Sequence, residues 1–376
     1  MSRPFRILHL IDHLGPGGAQ RALLDLILAG DREAFAHEVA CLHGKGAEWE
    51  AFTAAGVAVH SLSPAKWNPS YLLRLAALLR SGRYAALHCH LFYSNVLGKP
   101  LAAAVGVRHR FAHDQWNDPP PTDCAWMRVM DRLAHRLTTH VFAVSPFIRE
   151  FLVHQQGLPA HRVSVVPNGT NLERFPFGRE ASAESRRRHG LPEEGTVVGA
   201  VARLTGQKNI PVFLRAAARL AARRADTTFV IAGTGADETA LRHEAAQLGL
   251  ADRCRFLGHV ADMPRLYPAL DVMVLPSIFE GFGLVIVEAL LCGVAVVAST
   301  VAGARDYLRE GEDCFFVEPH DEATYADRIL QLLDDPAMRE RQTRSARAVI
   351  EAELSSTVMA ARVEKIYAQH LPRAAE

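Results

Sequence analysis

Two acids frame the stretch of this chain best suited to chemistry. Glu280 and Glu288 lie in Pro276-Ser-Ile-Phe-Glu-Gly-Phe-Gly-Leu-Val-Ile-Val-Glu288. Glu280 follows an apolar run, Val272–Leu275, that reads as a strand. Glu288 sits inside the apolar segment Leu284–Leu291, which stops at Cys292-Gly293. If Leu284 opens a helix, Glu280 stands before its first turn and Glu288 is in its second. Gly281 and Gly283 let backbone amides approach a ligand closely, and a helix N-terminus favours negative charge. The unit suits a phosphate-bearing ligand whose hydroxyls are also read. On spacing alone, a plain turn for Glu280 and an exposed helix position for Glu288 weigh equally.

Other strand ends offer matching chemistry. The run Thr196–Ala202 empties into Arg203-Leu-Thr-Gly-Gln-Lys208-Asn209, where Arg grips phosphate through a planar fork and Lys as a point charge. Thr228–Ala232 ends in Gly233-Thr-Gly235, whose amides are candidates to face an anion or a nucleobase, although a lone Gly-x-Gly is more often only a tight turn. Near the N-terminus Gly15-Pro-Gly17-Gly18 separates a strand from a helix, a phosphate-cradle order without the full dinucleotide fingerprint. His88 and His90 share one face of a strand and have the spacing of a metal pair. No third ligand stands near them in sequence, so polar contacts at the strand end are the favoured reading and no metal site is assigned.

These positions need strands to deliver them. Alternation of short apolar runs with amphipathic segments gives strands at Phe5–Ile11, Glu38–Leu42, Val57–Leu62, Ala85–Cys89, Arg108–Ala112, His140–Val144 and Val163–Val166. Helices read at Ala19–Ala29, Tyr71–Arg80, Asp123–Leu137 and Pro146–Gln155. The pattern lapses between Thr170 and Glu194, where the charged run Arg179–Arg188 is read as a solvated helix face. It then restarts with strands at Thr196–Val201, Thr228–Ala232, Cys254–Leu257, Val272–Leu275, Ala295–Ala298 and Cys314–Val317. Helices follow at Ile210–Ala222, Asp237–Leu248, Leu284–Leu291 and through much of Asp321–Gln369. Two doubly wound halves result, and in such sheets ligands bind beyond the strand C-termini.

The totals agree with that plan. A chain of 376 residues is long for one core. A net charge of +1 leaves no electrostatic footprint for nucleic acid. Six scattered cysteines without a Cys-x-x-Cys pair read as reduced core thiols, and no apolar run approaches the roughly 20 residues of a membrane span. The N-terminus has no signal-peptide pattern, so the expected location is cytoplasmic.

Taken in order, Gly17-Gly18-Ala-Gln-Arg21, His113, Val144-Ser145-Pro146, Pro167-Asn168-Gly169, Arg203…Lys208 and Glu280…Glu288 enclosing Gly281-Phe282-Gly283 make the chain resemble the retaining glycosyltransferases of family 4. The resemblance covers nearly the whole length. It implies the α/β GT-B architecture, two facing Rossmann-like domains with a cleft between them. The acceptor-side domain would occupy 1–175 and the nucleotide-sugar domain 176–354, with a C-terminal helix at 355–370 returning to the first. The resemblance further implies that Arg203 and Lys208 bind the diphosphate and stabilise it as it leaves. Glu288 would hold the ribose, and Glu280 with the Gly281, Phe282, Gly283 and Leu284 amides would meet the donor sugar. Gly233 and Gly235 would line the donor wall. From the first domain, His113 would contact the transferred sugar and the Gly17-Gly18 loop would close over the phosphates.

With no Asp-x-Asp sequence, neither a divalent ion nor another cofactor is expected. The expected partners are a nucleotide sugar and a glycan or lipid-linked acceptor, with no nucleic acid. The basic residues Arg128, Arg132, His135 and Arg136 lie beside an apolar stripe on the helix Asp123–Leu137. The plainer reading packs that stripe on the first domain; the sharper one is a peripheral contact at the inner face of the cytoplasmic membrane. Gln20, Asn171 and Asp306 depart from the family pattern, where acids are usual at the first two and Glu at the third. Three rivals share the architecture: a sugar-nucleotide epimerase, a nicotinamide-dependent oxidoreductase and a non-catalytic sugar-nucleotide binder.

Overall fold

The computed structural model describes residues 3–63, 70–115, 125–176, 178 and 182–371. Residues 116–121 of the proline-broken loop, the expected helix start at 123–124, Cys124 and residues 179–181 of the charged run lie outside the described residues.

The chain divides into two compact units, residues 1–169 with 356–376, and residues 170–355. The sequence boundary at 175 falls a few residues beyond the structural one. Where the chain passes between the units, Thr170 N donates to Leu354 O at 3.0 Å and Thr170 bridges Ser355, which ties both passages to the second unit. The last helix, Ser356–His370, belongs to the first unit, where Met359, Val363 and Tyr367 pack with Leu23, Ile27 and Phe35.

The first unit carries a seven-stranded parallel sheet: β1 (Phe5–Ile11), β2 (Phe35–Cys41), β3 (Ala58–Ser61), β4 (Ala86–His90), β5 (His109–Asp114), β6 (His140–Ala143) and β7 (Val163–Val165). Its order is β3-β2-β1-β4-β5-β6-β7. The second unit has six strands, β8 (Thr196–Val201), β9 (Thr227–Ala232), β10 (Cys254–Gly258), β11 (Val272–Leu275), β12 (Ala295–Ser299) and β13 (Phe315–Val317), in the order β10-β9-β8-β11-β12-β13. Strand order reverses between β1 and β4 and again between β8 and β11. Loops leaving those neighbouring strands diverge to opposite faces and open a crevice at the strand ends, the usual ligand position in such sheets.

Two expectations are corrected. The charged run is not simply solvated: on the helix Ser182–Arg188, Arg186 is buried and donates to Asp271 Oδ2 at 2.8 Å, Gly195 O at 3.1 Å and Ala269 O at 3.2 Å. Asp271 also accepts from Val197 N at 2.7 Å, so this buried pair pins the helix to the edges of β8 and β11. The apolar stripe of the helix Ala125–Arg136 does not pack inward, since Trp126 is 62% and Val129 55% exposed while Ala134 and His135 face the protein. Helical segments at Trp49–Ala54 and Ser94–Ala104 were not recognised in the sequence, because each is too short to display a clear period. The five described cysteines are free and buried.

Candidate active site

β8 and β11 are adjacent parallel strands, so the segments that follow them emerge side by side. After β8, Gly206–Lys208 forms a short turn that ends at Asn209, held in the left-handed region at φ 53°. The Asn209 amide fixes that turn by donating to Pro276 O at 3.1 Å and Pro319 O at 2.7 Å. Two more bonds close the seam: Ile278 N donates to Gln207 O at 2.9 Å, and Gln207 Nε2 donates to Phe279 O at 3.0 Å. This seam brings Lys208 Nζ to 2.5 Å from Glu280 Oε2, with both side chains only 12% exposed. Ser277 Oγ donates to the same oxygen at 3.5 Å.

Beyond Glu280 the backbone prepares a helix. Glu280 pairs with Ala302 in an isolated bridge and Ala304 N donates to Phe282 O at 2.9 Å, so the loop after β12 braces this segment. Gly283 adopts φ +93° and precedes the helix Leu284–Leu291; a Cβ there would come within 2.9 Å of Ile286 Cδ1. A positive φ in that space selects glycine. Ile286 N already donates to Gly283 O at 2.9 Å, so it is the amides ahead of it, at the positive end of the dipole, that favour an anion beside Glu280 and Lys208. The Phe282 and Leu284 side chains are buried, with Phe282 edge-on to Tyr307 at 6.2 Å. Glu288, in the second turn, is buried rather than on an exposed helix face. Its Oε2 accepts from Tyr267 Oη at 2.7 Å, which orients the carboxylate.

Arg203 leaves the end of β8 as an exposed side chain. Gly233 and Gly235 have a structural part, as a tight turn would. A Cβ on Gly233 would lie 1.8 Å from Ala202 O, and one on Gly235 2.1 Å from Leu204 O. The β9 loop thus crosses the β8 loop backbone to backbone, and the Gly233 amide is taken by Gly258 O at 2.7 Å.

In the first unit the loop after β1 is tightly organised. Gly17 precedes the helix Gly18–Ala29, and a Cβ on it would meet Gln20 Oε1 at 2.5 Å. Gln20 Nε2 donates to His13 O at 3.2 Å, a bond that an acid at this position cannot make when ionised. Asp12 receives the Ser94 N–H at 2.6 Å, the Ser94 hydroxyl at 2.7 Å and the Tyr93 N–H at 3.1 Å, while burial raises its pKa to about 6. His113, on β5, is 2% exposed, and burial lowers its pKa to about 4. Asn171 accepts from Glu173 N at 3.0 Å, so the amide serves as the cap that an acid would provide.

The histidines of β4 have company that spacing could not reveal. His9 pairs with His88 across β1 and β4, and His90 pairs with His113 across β4 and β5. Side chains at paired positions share one sheet face, so His9, His88, His90 and His113 stand together, with the last helix over them. The expectation that no third ligand lies near His88 and His90 is therefore corrected by His9.

The profile described as Glycosyl transferases group 1 matches residues 181–349, and that of Glycosyltransferase Family 4 matches residues 16–174. The D-inositol 3-phosphate glycosyltransferase of Thermobispora bispora is 33% identical over 330 residues, covering 81% of this chain and 75% of that protein. The chain belongs to glycosyltransferase family 4. Family 4 relatives extend to the UDP-Gal:alpha-D-GlcNAc-diphosphoundecaprenol alpha-1,3-galactosyltransferase of Escherichia coli, 27% identical over 277 residues and 71% of each chain. Among solved structures, Anabaena HepE in complex with UDP and glucose superposes with a TM-score of 0.85, covering 97% of this chain and all of that one at 22% identity. That likeness, with the two doubly wound sheets, places this glycosyltransferase in the GT-B fold class.

Proposed function

We propose that this glycosyltransferase moves a hexose from a nucleotide-diphosphate donor to a glycan or lipid-linked acceptor, with retention at the anomeric carbon, in building a cell-surface polysaccharide. One observation carries the reading: the Lys208–Glu280 contact sits at the β8/β11 reversal, before the first turn of the Leu284–Leu291 helix. A cation, an acid and open helix amides at one strand-end crevice fit a sugar diphosphate better than any other common ligand.

In the proposed reaction the acceptor oxygen bonds to the sugar's anomeric carbon on the face from which the diphosphate departs. The acceptor proton passes to the departing diphosphate oxygen. Charge grows on that oxygen as the bond breaks, and Lys208, Arg203 and the helix amides stabilise it without a divalent ion. Glu280 holds Lys208 before the donor arrives and meets the sugar afterwards. Glu288, steadied by Tyr267, accepts from the ribose hydroxyls. Gly233 and Gly235 shape the donor wall through backbone packing, and His113 and the Gly17-Gly18 turn take the parts that the family implies.

The test is an acceptor-dependent assay over UDP-, GDP- and ADP-hexoses, beginning with UDP because it accompanies HepE. The expected result is donor turnover only when acceptor is present, with α-linked product from an α-linked donor. Interconversion of the donor without acceptor would instead establish an epimerase. Transfer is expected to persist in chelator; a loss restored by Mg2+ or Mn2+ would overturn the metal-free departure.

We also propose that the first unit docks on an anionic membrane where a lipid-linked acceptor resides. Trp126, Val129, Met130 and Leu133 form an exposed apolar face on the helix Ala125–Arg136, with Phe147 exposed on the following helix. Arg132 and Arg136 flank that face, and with His154 and Arg162 they line a groove of about 580 Å³. Apolar side chains beside basic ones suit an interfacial helix. Arg132→Glu and Trp126→Ser should each lower co-sedimentation with phosphatidylglycerol vesicles several-fold; unchanged binding would refute the contact.

A further inference from the structure

Within the first unit, His9, His88 and His90 are 0–1% exposed, and one ring nitrogen from each lies within 4.8 Å of one from each of the others. The closest pair is His9 Nδ1 and His90 Nε2, at 3.0 Å. Two imidazoles bound to one tetrahedral zinc ion at about 2.0–2.1 Å have nitrogens roughly 3.3 Å apart, so this pair already stands at nearly the spacing of two ligands. We propose that His9, His88 and His90 form a buried binding site for an imidazole-preferring first-row transition ion, with Zn2+ as its occupant.

The outer nitrogens support this assignment. A metal-bound imidazole is oriented by what its other nitrogen donates to. His9 turns Nε2 to His37 Nδ1 at 2.8 Å, and His88 turns Nδ1 to Tyr367 Oη at 2.5 Å. With protons on the outer nitrogens, one of the two tautomers these contacts allow, His9 Nδ1 and His88 Nε2 are lone pairs, and His90 Nε2 donates to His9 Nδ1 until an ion displaces that proton. His88 Nε2 and His90 Nδ1 are buried polar atoms without a hydrogen-bond partner among the described residues. Coordination would satisfy the first, which otherwise remains a desolvated group.

Chemistry selects the class of ion. All three donors are nitrogens, a set that suits zinc, copper, nickel or iron and not magnesium or calcium, which demand oxygen. Burial keeps the three rings neutral, their ligand-competent form. The fourth position would hold water or hydroxide, as in sites with three histidine ligands, and hydroxide would offset part of the ion's charge. The site is distinct from the diphosphate machinery, which lies in the other unit. It would order the ends of β1 and β4 beside His113, whose ring stacks on His88 with centroids 5.6 Å apart and planes 4° apart. Because the ligands are sealed, the ion would enter as the chain folds and leave slowly.

The test is the metal content of the full-length protein, purified from zinc-supplemented medium and passed through a chelating column, then measured by inductively coupled plasma mass spectrometry. The expected result is about one equivalent per chain, falling below about one tenth in His90→Asn and in His9→Asn. Growth on cobalt should give the visible absorption of a four-coordinate Co2+ complex in the wild type. Tyr367→Phe keeps all three ligands and should retain the ion but lose it several-fold faster to chelator, so the site stays testable if a ligand variant misfolds. A folded wild type without stoichiometric zinc, cobalt, nickel, copper or iron would overturn the proposal. So would ligand variants that keep a full equivalent.

Discussion

At the strand ends of the second unit the chemistry-bearing groups are charged and reach solvent, as with Arg203, Lys208 and Glu280; on the sheet face of the first unit they are neutral rings sealed from it. Both units are parallel sheets with one reversal of strand order, so topology is not the difference. The second unit's loops hold charge at the reversal point, where the proposed diphosphate would bind. The first unit buries Phe111 and Phe142 with the histidines beneath Tyr367 of the returning helix Ser356–His370, where rings pack and bond to one another. One fold therefore offers either an open electrostatic site or a closed aromatic one, according to whether the functional side chains leave the strand or stay on it.

The sharpest way to break this contrast is Lys208→Ala. If the second unit's charge performs the departure step, kcat should fall by about 10²–10³-fold, the loss typical of one removed transition-state donor. The thermal midpoint should fall as well, because both side chains are only 12% exposed and the variant leaves the Glu280 carboxylate shielded without its cation. Initial rates at saturating donor, with circular dichroism as the check on folding, decide the point. A stability loss without a rate loss would make the Lys208–Glu280 pair structural and erase the distinction.

Glu288→Gln probes the same wall more gently. The amide keeps the size and its oxygen can still accept from Tyr267, but the charge proposed to accept from ribose is gone. The expected outcome is a roughly tenfold rise in donor KM with kcat nearly unchanged, the pattern of lost uniform binding. A fall in kcat at constant KM would move Glu288 from nucleotide binding to the reacting centre.

The two units also differed in how much of them could be read in advance. Strands such as Phe5–Ile11, Thr196–Val201 and Val272–Leu275 match the structure residue for residue, because fully buried parallel strands are short apolar runs with abrupt ends. Glu280, Gly283 and the helix at Leu284 were equally legible, since strand, loop and helix are contiguous in sequence. Lys208 was visible as a strand-end cation, but its bond to Glu280 depends on β8 lying next to β11, which is a property of strand order and not of spacing. The histidine face was hidden for the same reason more strongly. His9, His88 and His113 come from three strands, and Tyr367 arrives from the far end of the chain. Glycines gave a different lesson. Gly233 and Gly235 were readable as a turn with amides that could face a ligand, but their backbone crossing against Ala202 and Leu204 was not visible in the sequence.

Phe111→Leu tests the closed side of the contrast with the smallest expected effect. Phe111 is fully buried, with ring centroids 4.9 Å from Tyr367 and 6.2 Å from His88. Leucine retains an apolar filler but loses ring contacts with His88, Phe142, Tyr367 and His370, so a stability loss of about 1–2 kcal/mol is expected from imperfect repacking. Urea denaturation measures it directly, and kcat at saturating donor should stay within about twofold. That result would fit a ring layer whose work is to support the sheet from beneath. A tenfold loss of rate with only a small loss of stability would mean instead that the sealed face transmits its packing to His113, two residues along the same strand. The two units would then differ in exposure but not in their share of the chemistry.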